Sequence, residues 1–267
     1  MGTRTSYGPG TFCWINLSST DVEAAKRFYA ALFGWDYAER PADGATFSMA
    51  RRYGADVAAI YGQEEQERAH GLPSHWNSHV SVEDADASAD RAKELGGAVL
   101  VEPFDVSDAG RTAVLADPAG ATFRVWQPRR HIGAGRVNDV GCLTWNDLIT
   151  NDAERASAFY SGLFGWRFKR LDTGDGPAYW VIQHQAAAGG INGGMRELSG
   201  DEAQTIAPAW RWVPYFTVES AASTIDEAKA FGGRVLDGPV RIGAGTVAVM
   251  RDPTGAVFAV FEGPIDD

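Results

Sequence analysis

The chain has 267 residues, 45% hydrophobic and 22% charged, with a formal net charge of −11. That is ordinary globular composition, enough for one large domain or two small ones with proper cores. The acidic balance excludes a nucleic-acid groove or an anionic membrane surface as the working face, since either needs concentrated Lys and Arg.

The N-terminal stretch MGTRTSYGPGTF has no signal-peptide-like apolar run, and no run of 18 apolar residues occurs, so a cytoplasmic protein is expected. TFCWINL, residues 11–17, alternates as a strand does. Thr20 then reads as a helix cap, with Glu23 completing a capping box. Val22, Ala25, Phe28, Tyr29, Leu32 and Phe33 make the apolar stripe, and Gly34 the stop. TFSMARR and ADVAAIYG read as a hairpin. WNSHVSV is a further strand, followed by a helix over DADASADRAKELGG and three strands: AVLVEP, GRTAVLAD and ATFRVWQ. A tight turn, Asp117-Pro118-Ala119-Gly120, precedes the last of these.

The pattern then repeats. WINLSSTDVEAAKRFYAALFGW returns as WNDLITNDAERASAFYSGLFGW, with Asn151 and Glu154 in the capping roles and Gly165 as the stop. VLADPAGATFRVWQ returns as VMRDPTGAVFAVFE, at an offset that drifts only from 131 to 135. The modules are placed at 10–128 and 140–264, with a linker over 129–139. Its basic Arg129-Arg130-His131 cluster reads as solvated. Cys13 and Cys142 do not align between the copies, so buried reduced thiols are expected.

The capped helix with Phe28-Tyr29 and Leu32-Phe33-Gly34, the entry Glu83-Asp84-Ala85-Asp86 and the Asp-Pro-x-Gly turn resemble the vicinal-oxygen-chelate superfamily of glyoxalase I, bleomycin-resistance proteins and extradiol dioxygenases. Phe-Gly-Trp after each first helix is similar to a two-module actinobacterial glyoxalase-like branch labelled "hydroxylase". The resemblance implies an α+β fold: two tandem glyoxalase-like modules, each of paired βαβββ units forming a curved mixed sheet around a cup.

Metal-dependent members of that superfamily place three ligands on the first, fifth and last strands. The matching positions here are Trp14, Asn77 and Arg124, then Trp145, Val213 and Ala259. None is a strong ligand, and Arg124 would repel a cation, so no metal and no cofactor is expected. His75 and His79 are spaced i,i+4 on a strand, about 13 Å apart, which does not make a metal pair.

Alternation on the same strands aims Trp14, Asn16, Asn77, His79, Arg124 and Trp126 into one cup, and Trp145, Asp147, Val213, Tyr215, Ala259 and Phe261 into the other. Trp14, Asn16, Asn77, Trp126, Trp145, Tyr215 and Phe261 are the expected ligand-binding residues, for an aromatic or cationic small molecule. Each also reads as packing, and Asp147 and Arg124 as a structural pair. Trp76, Trp180, Trp210 and Trp212 read as packing or interface. If half-modules pair across the repeat, Asp147, His79 and Arg124 meet as a candidate acid–base set. If each module closes on itself they separate, which suits binding.

The leading expectation is a metal-independent binding protein for a natural product or metabolite, in resistance or sequestration, monomeric or homodimeric, with no nucleic-acid or membrane partner. The alternative is an enzyme of secondary metabolism. It would be a metal-free isomerase, cyclase or lyase using acid–base chemistry, or a glyoxalase- or dioxygenase-like catalyst with displaced metal ligands. A third reading is an interaction protein whose cups are filled by side chains.

Overall fold

Each strand–helix entry is fixed by a local device. The computed structural model describes residues 2–42, 45–173, 178–186, 190–198 and 211–264. β1 (Phe12–Ser19) leads into α1 (Val22–Phe33), whose cap is Asp21, accepting from the Ala24 N–H. β9 (Leu143–Thr150) leads likewise into α4 (Ala153–Phe164), capped by Asp152. The sequence points instead to Thr20 and Asn151. An Asp one residue later carries a short carboxylate that reaches the N–H three residues on and favours the positive helix end. Gly34 and Gly165 close the two helices in the left-handed conformation, at φ 63° and 72°.

The rest of the first module is β2 (Asp36–Ala42), β3 (Ala45–Arg52), β4 (Ala55–Gly62), α2 (Glu65–Ala69), β5 (His75–Ser81), α3 (Ala85–Glu94), β6 (Ala98–Val106), β7 (Gly110–Ala116) and β8 (Thr122–Pro128). The second continues with β10 (Arg167–Leu171), β11 (Tyr179–Gln183), β12 (Ile191–Glu197), β13 (Arg211–Thr217), α5 (Ala221–Ala230), β14 (Arg234–Ile242), β15 (Gly245–Arg251) and β16 (Val257–Glu262). β2 and α2 have no counterpart in the sequence reading. DYAERPA lacks a clean alternation, and five residues are too few to show a helical period.

β1 pairs with β4 in parallel and with β5 antiparallel, and β5 pairs with β8 in parallel. β9 repeats this with β12, β13 and, through β13, β16. Each cup therefore closes within its own module. A single bridge, Arg211↔Thr122, links β13 to β8 and makes one mixed sheet of all the strands.

The helical cores do the opposite. α1 packs with α5 over one outer face, where Phe28, Tyr29 and Phe33 meet Phe216, Ile225 and Phe258. α3 and α4 share the other, where Ala89 and Phe123 meet Phe159, Tyr160 and Trp212. Tyr29 donates to Asp252 Oδ2 at 2.9 Å and accepts from Trp76 Nε1 at 3.0 Å. Tyr160 donates to Asp117 Oδ2 at 3.2 Å and accepts from Trp212 Nε1 at 2.9 Å. The other oxygen of each Asp takes two backbone N–H groups of its own turn. Trp76 and Trp212 are thus core residues, as their strand face suggests. Trp210 lies outside the described residues. Cys13 and Cys142 are both buried and free.

Removing either tyrosine hydroxyl leaves a buried indole N–H without an acceptor and a carboxylate short of one donor. Tyr29→Phe and Tyr160→Phe are each expected to lower the unfolding free energy by about 1–3 kcal/mol in urea denaturation. No change would show that the Asp turn holds itself.

Candidate ligand-binding cups

The strand registers decide what shares a face. Trp14 lies opposite His79, Asn16 opposite Asn77 and His79 beside Arg124. In the second module Trp145 lies opposite Tyr215, Asp147 opposite Val213 and Tyr215 beside Ala259. All the side chains expected in the first cup are together there. Those expected in the second are together in the second. The acid–base set is not assembled: Asp147 is in one cup, His79 and Arg124 are in the other.

In the first cup the Tyr61 hydroxyl is a hub. It accepts from Arg124 Nη2 at 2.9 Å and from Asn77 Nδ2 at 3.4 Å. Ser18, aligned with Tyr61 on β1, donates to Glu67 Oε2 at 2.7 Å. Glu67 stands on α2 beside His75, and its carboxyl falls to about 2. Burial opposes that shift, but His75, the Ser18 hydroxyl and the Glu64 N–H outweigh it. At the other end, His131 enters from the segment between the modules. Its ring meets Trp14 edge-on at 4.7 Å and Trp126 at 5.9 Å, and its carbonyl accepts from Trp126 Nε1. The sequence reading of a solvated Arg129-Arg130-His131 cluster therefore fails at His131, whose ring completes an aromatic wall.

Several polar atoms in this cup are buried without a protein partner: Asn16 Oδ1, both ring nitrogens of His79, Arg124 Nε and His131 Nε2. The other such atoms among the described residues, on Arg52, Gln63 and Arg251, belong to no comparable group. Burial, the Arg124 charge and His131 together hold the His79 imidazole well below its ordinary range, so it is neutral. It offers one donor and one acceptor.

The second cup is satisfied at its centre. Asp147 Oδ1 accepts from Trp145 Nε1 and the Tyr179 hydroxyl, both at 2.8 Å, and Oδ2 accepts from the Tyr215 hydroxyl at 2.7 Å. Arg196 pairs with Asp237 at 3.0 Å nearby. Gly194 makes room for this cluster, since a Cβ there would collide with the Tyr179 hydroxyl and Asp147 Oδ1. Val213, Val249, Ala259 and Phe261 fill the remainder. Trp145 and Tyr215, expected to touch ligand, are bonded to Asp147. Tyr61, Tyr179, Arg196 and His131 escaped the sequence reading because the hairpin strands and the connecting segment were not assigned a face. Two clefts of about 390 Å³ each sit outside the cups, where the modules meet at the starts of α3 and α5.

At the superfamily's metal positions the cups offer Trp14, Asn77 and Arg124, and Trp145, Val213 and Ala259. Among the described residues no three His, Cys, Asp or Glu side chains are grouped to hold an ion. This donor set does not fit a divalent cation.

Burial raises the Asp147 carboxyl above its ordinary value of 3.8, against its three donors. The proton-bound form is thus favoured by folding. Its stabilisation is complete below that ordinary value and is lost as pH rises through the raised one. Asp147→Asn imitates the protonated group, so the wild type's advantage over this variant is expected to shrink from pH 4 to 8 in urea denaturation. A constant difference would show that the donors cancel the burial cost.

Residues 14–126 and 144–261 each match the model of a glyoxalase-like domain. The chain is 38% identical over 265 residues to CFP32, a candidate glyoxylase of Mycobacterium tuberculosis (strain CDC 1551 / Oshkosh), covering 98% of both chains. It is 33% identical over 274 residues to the anthracycline biosynthesis protein DauV of Streptomyces sp. (strain C5), covering 97% of this chain and 95% of DauV. Among solved structures, a Mn(II)-bound glyoxalase from Novosphingobium aromaticivorans superposes with a TM-score of 0.64 at 15% identity, over 96% of this chain and 83% of that one. At that identity the likeness is one of fold. With two matched copies and relatives aligned over nearly their whole length, the chain belongs to the family of glyoxalase-like domain proteins.

Proposed function

We propose that this protein binds a small molecule without a metal ion, in the first cup, while the second cup is structural. The observation that carries the reading is the group of partnerless buried polar atoms on Asn16, His79, Arg124 and His131. A buried polar group without a hydrogen bond costs about 1–3 kcal/mol, so several in one place imply water or ligand as the missing partner. The aromatic walls of Trp14, Trp126 and His131 suit a flat molecule. The anthracycline biosynthesis relatives, DauV and DnrV, favour a setting in secondary metabolism and a natural-product ligand. A cytoplasmic location goes with that setting. Among the described residues no helix is long and apolar enough to cross a membrane.

Acid–base catalysis in the same cup is the second reading, favoured by the neutral His79 beside Arg124. It would use His79 and Arg124 without Asp147.

Titration with 1,8-dihydroxyanthraquinone, followed by Trp fluorescence, is expected to saturate at one ligand per chain, with or without EDTA. Trp14→Ala should weaken binding about tenfold or more and Trp145→Ala should not, as a buried aromatic contact on one wall requires. Two ligands per chain, or binding lost with EDTA, would sink the proposal. His79→Ala that binds the probe but fails to convert a substrate would favour catalysis.

A further inference from the structure

The geometry points to a more specific ligand: a planar ring carrying an anionic oxygen, an ionised enol, phenol or carboxylate, held by Arg124. This deepens the reading that the first cup binds a small molecule and rests on it.

The argument begins with charge. Arg124 sits on β8 with its Nε buried and unpartnered, and its hydrogen bond runs from Nη2 to the neutral Tyr61 hydroxyl. Among the described residues no carboxylate pairs with it, although the chain carries 35 acidic residues against 24 basic ones. Other arginines nearby do find carboxylates: Arg111 binds Asp86 and Asp105, Arg129 binds Asp105, and Arg130 binds Asp108. A half-buried guanidinium without a carboxylate partner favours a ligand that brings the negative charge.

The neighbours narrow the chemistry. Glu67 is engaged by Ser18 and His75, and Asp147 is in the other cup with its own donors. Neither is placed to neutralise Arg124. His79, registered beside Arg124, offers a neutral imidazole whose two nitrogens have no partner. Its donor nitrogen can share the same anionic oxygen. Its acceptor nitrogen, on the far side of the imidazole, and Asn16 Oδ1 are left for other donors of the ligand or for water. The aromatic surface of Trp14, Trp126 and the His131 ring favours a planar ligand. Of the aromatic or cationic ligand expected from the sequence, this inference keeps the aromatic kind, since Arg124 would repel a cation.

The test uses two matched pairs on the full chain by isothermal titration calorimetry. One pair is 2-naphthoate against 2-naphthamide. The other is 2-hydroxy-1,4-naphthoquinone, ionised at neutral pH, against its 2-methoxy ether. The wild type is expected to prefer an anion over its neutral partner by about tenfold or more, the scale of one charge-assisted hydrogen bond. The pair with the larger ratio tells whether the oxygen is a carboxylate or an enolate. Arg124→Met should reduce the ratio to within about twofold, and Arg124→Lys should keep part of it, since a point charge remains without the Nε donor. The wild-type ratio decides even if a variant fails to fold. Neutral partners binding as tightly as the anions would overturn this inference and leave the binding cup standing. An anion preference that survives Arg124→Met in a folded protein would overturn it too, placing the charge recognition elsewhere. No binding by any of the four would overturn both this inference and the reading beneath it.

Discussion

The structure depends on one buried contact made twice: a tyrosine of a first helix donating to the aspartate of the other module's Asp-Pro-x-Gly turn, with a tryptophan N–H closing on the same hydroxyl. A carboxylate is costly to bury, and here each is held by two backbone N–H groups and one phenol. The phenol in turn fixes where the helix lies on the sheet. Because both partners recur in both copies, the two outer cores are built alike, each from halves of different modules.

That arrangement leaves the cups outside the stabilising framework. The same strand positions carry Asn16 and Asp147, His79 and Tyr215, Arg124 and Ala259, and the contents have diverged while the frame has not. In one cup a carboxylate is saturated by tyrosine and tryptophan donors. In the other, a cation and an imidazole face each other's surroundings with nitrogens left over. A polar interior that closes on itself rigidifies a core, whereas one left incomplete is where a ligand gains by binding.

Much of this was legible in the sequence. The repeat gave the two modules, and strand alternation from the superfamily's ligand positions gave the shared face on β1, β5, β8, β9, β13 and β16. Strand alternation has a period of two, so one correct anchor fixes a whole face. Three things were not legible. The capping Asp21 and Asp152 each follow another competent cap residue, and composition does not choose between neighbours. Half-module pairing is set by long-range register, so the sequence left open whether Asp147 would meet His79. His131 lies in a segment without periodicity, and long-range hydrogen bonds such as those of His131 to Ala109, Trp126 to His131, Ala134 to Cys13 and Gly135 to Asp56 draw that segment against the first cup.

The single strand bridge between Arg211 and Thr122 gives this architecture a consequence. The sheet is almost severed there, yet both outer cores cross the line of separation. Any cut between the modules would divide both Tyr–Asp contacts at once and leave neither half with a whole interior beneath its helices. The segment around residues 129–139 is therefore no tether between two independent bodies. The two modules are interlocked through their helical cores while their cups stay apart, so a change in one cup reaches the other through the shared cores outside them.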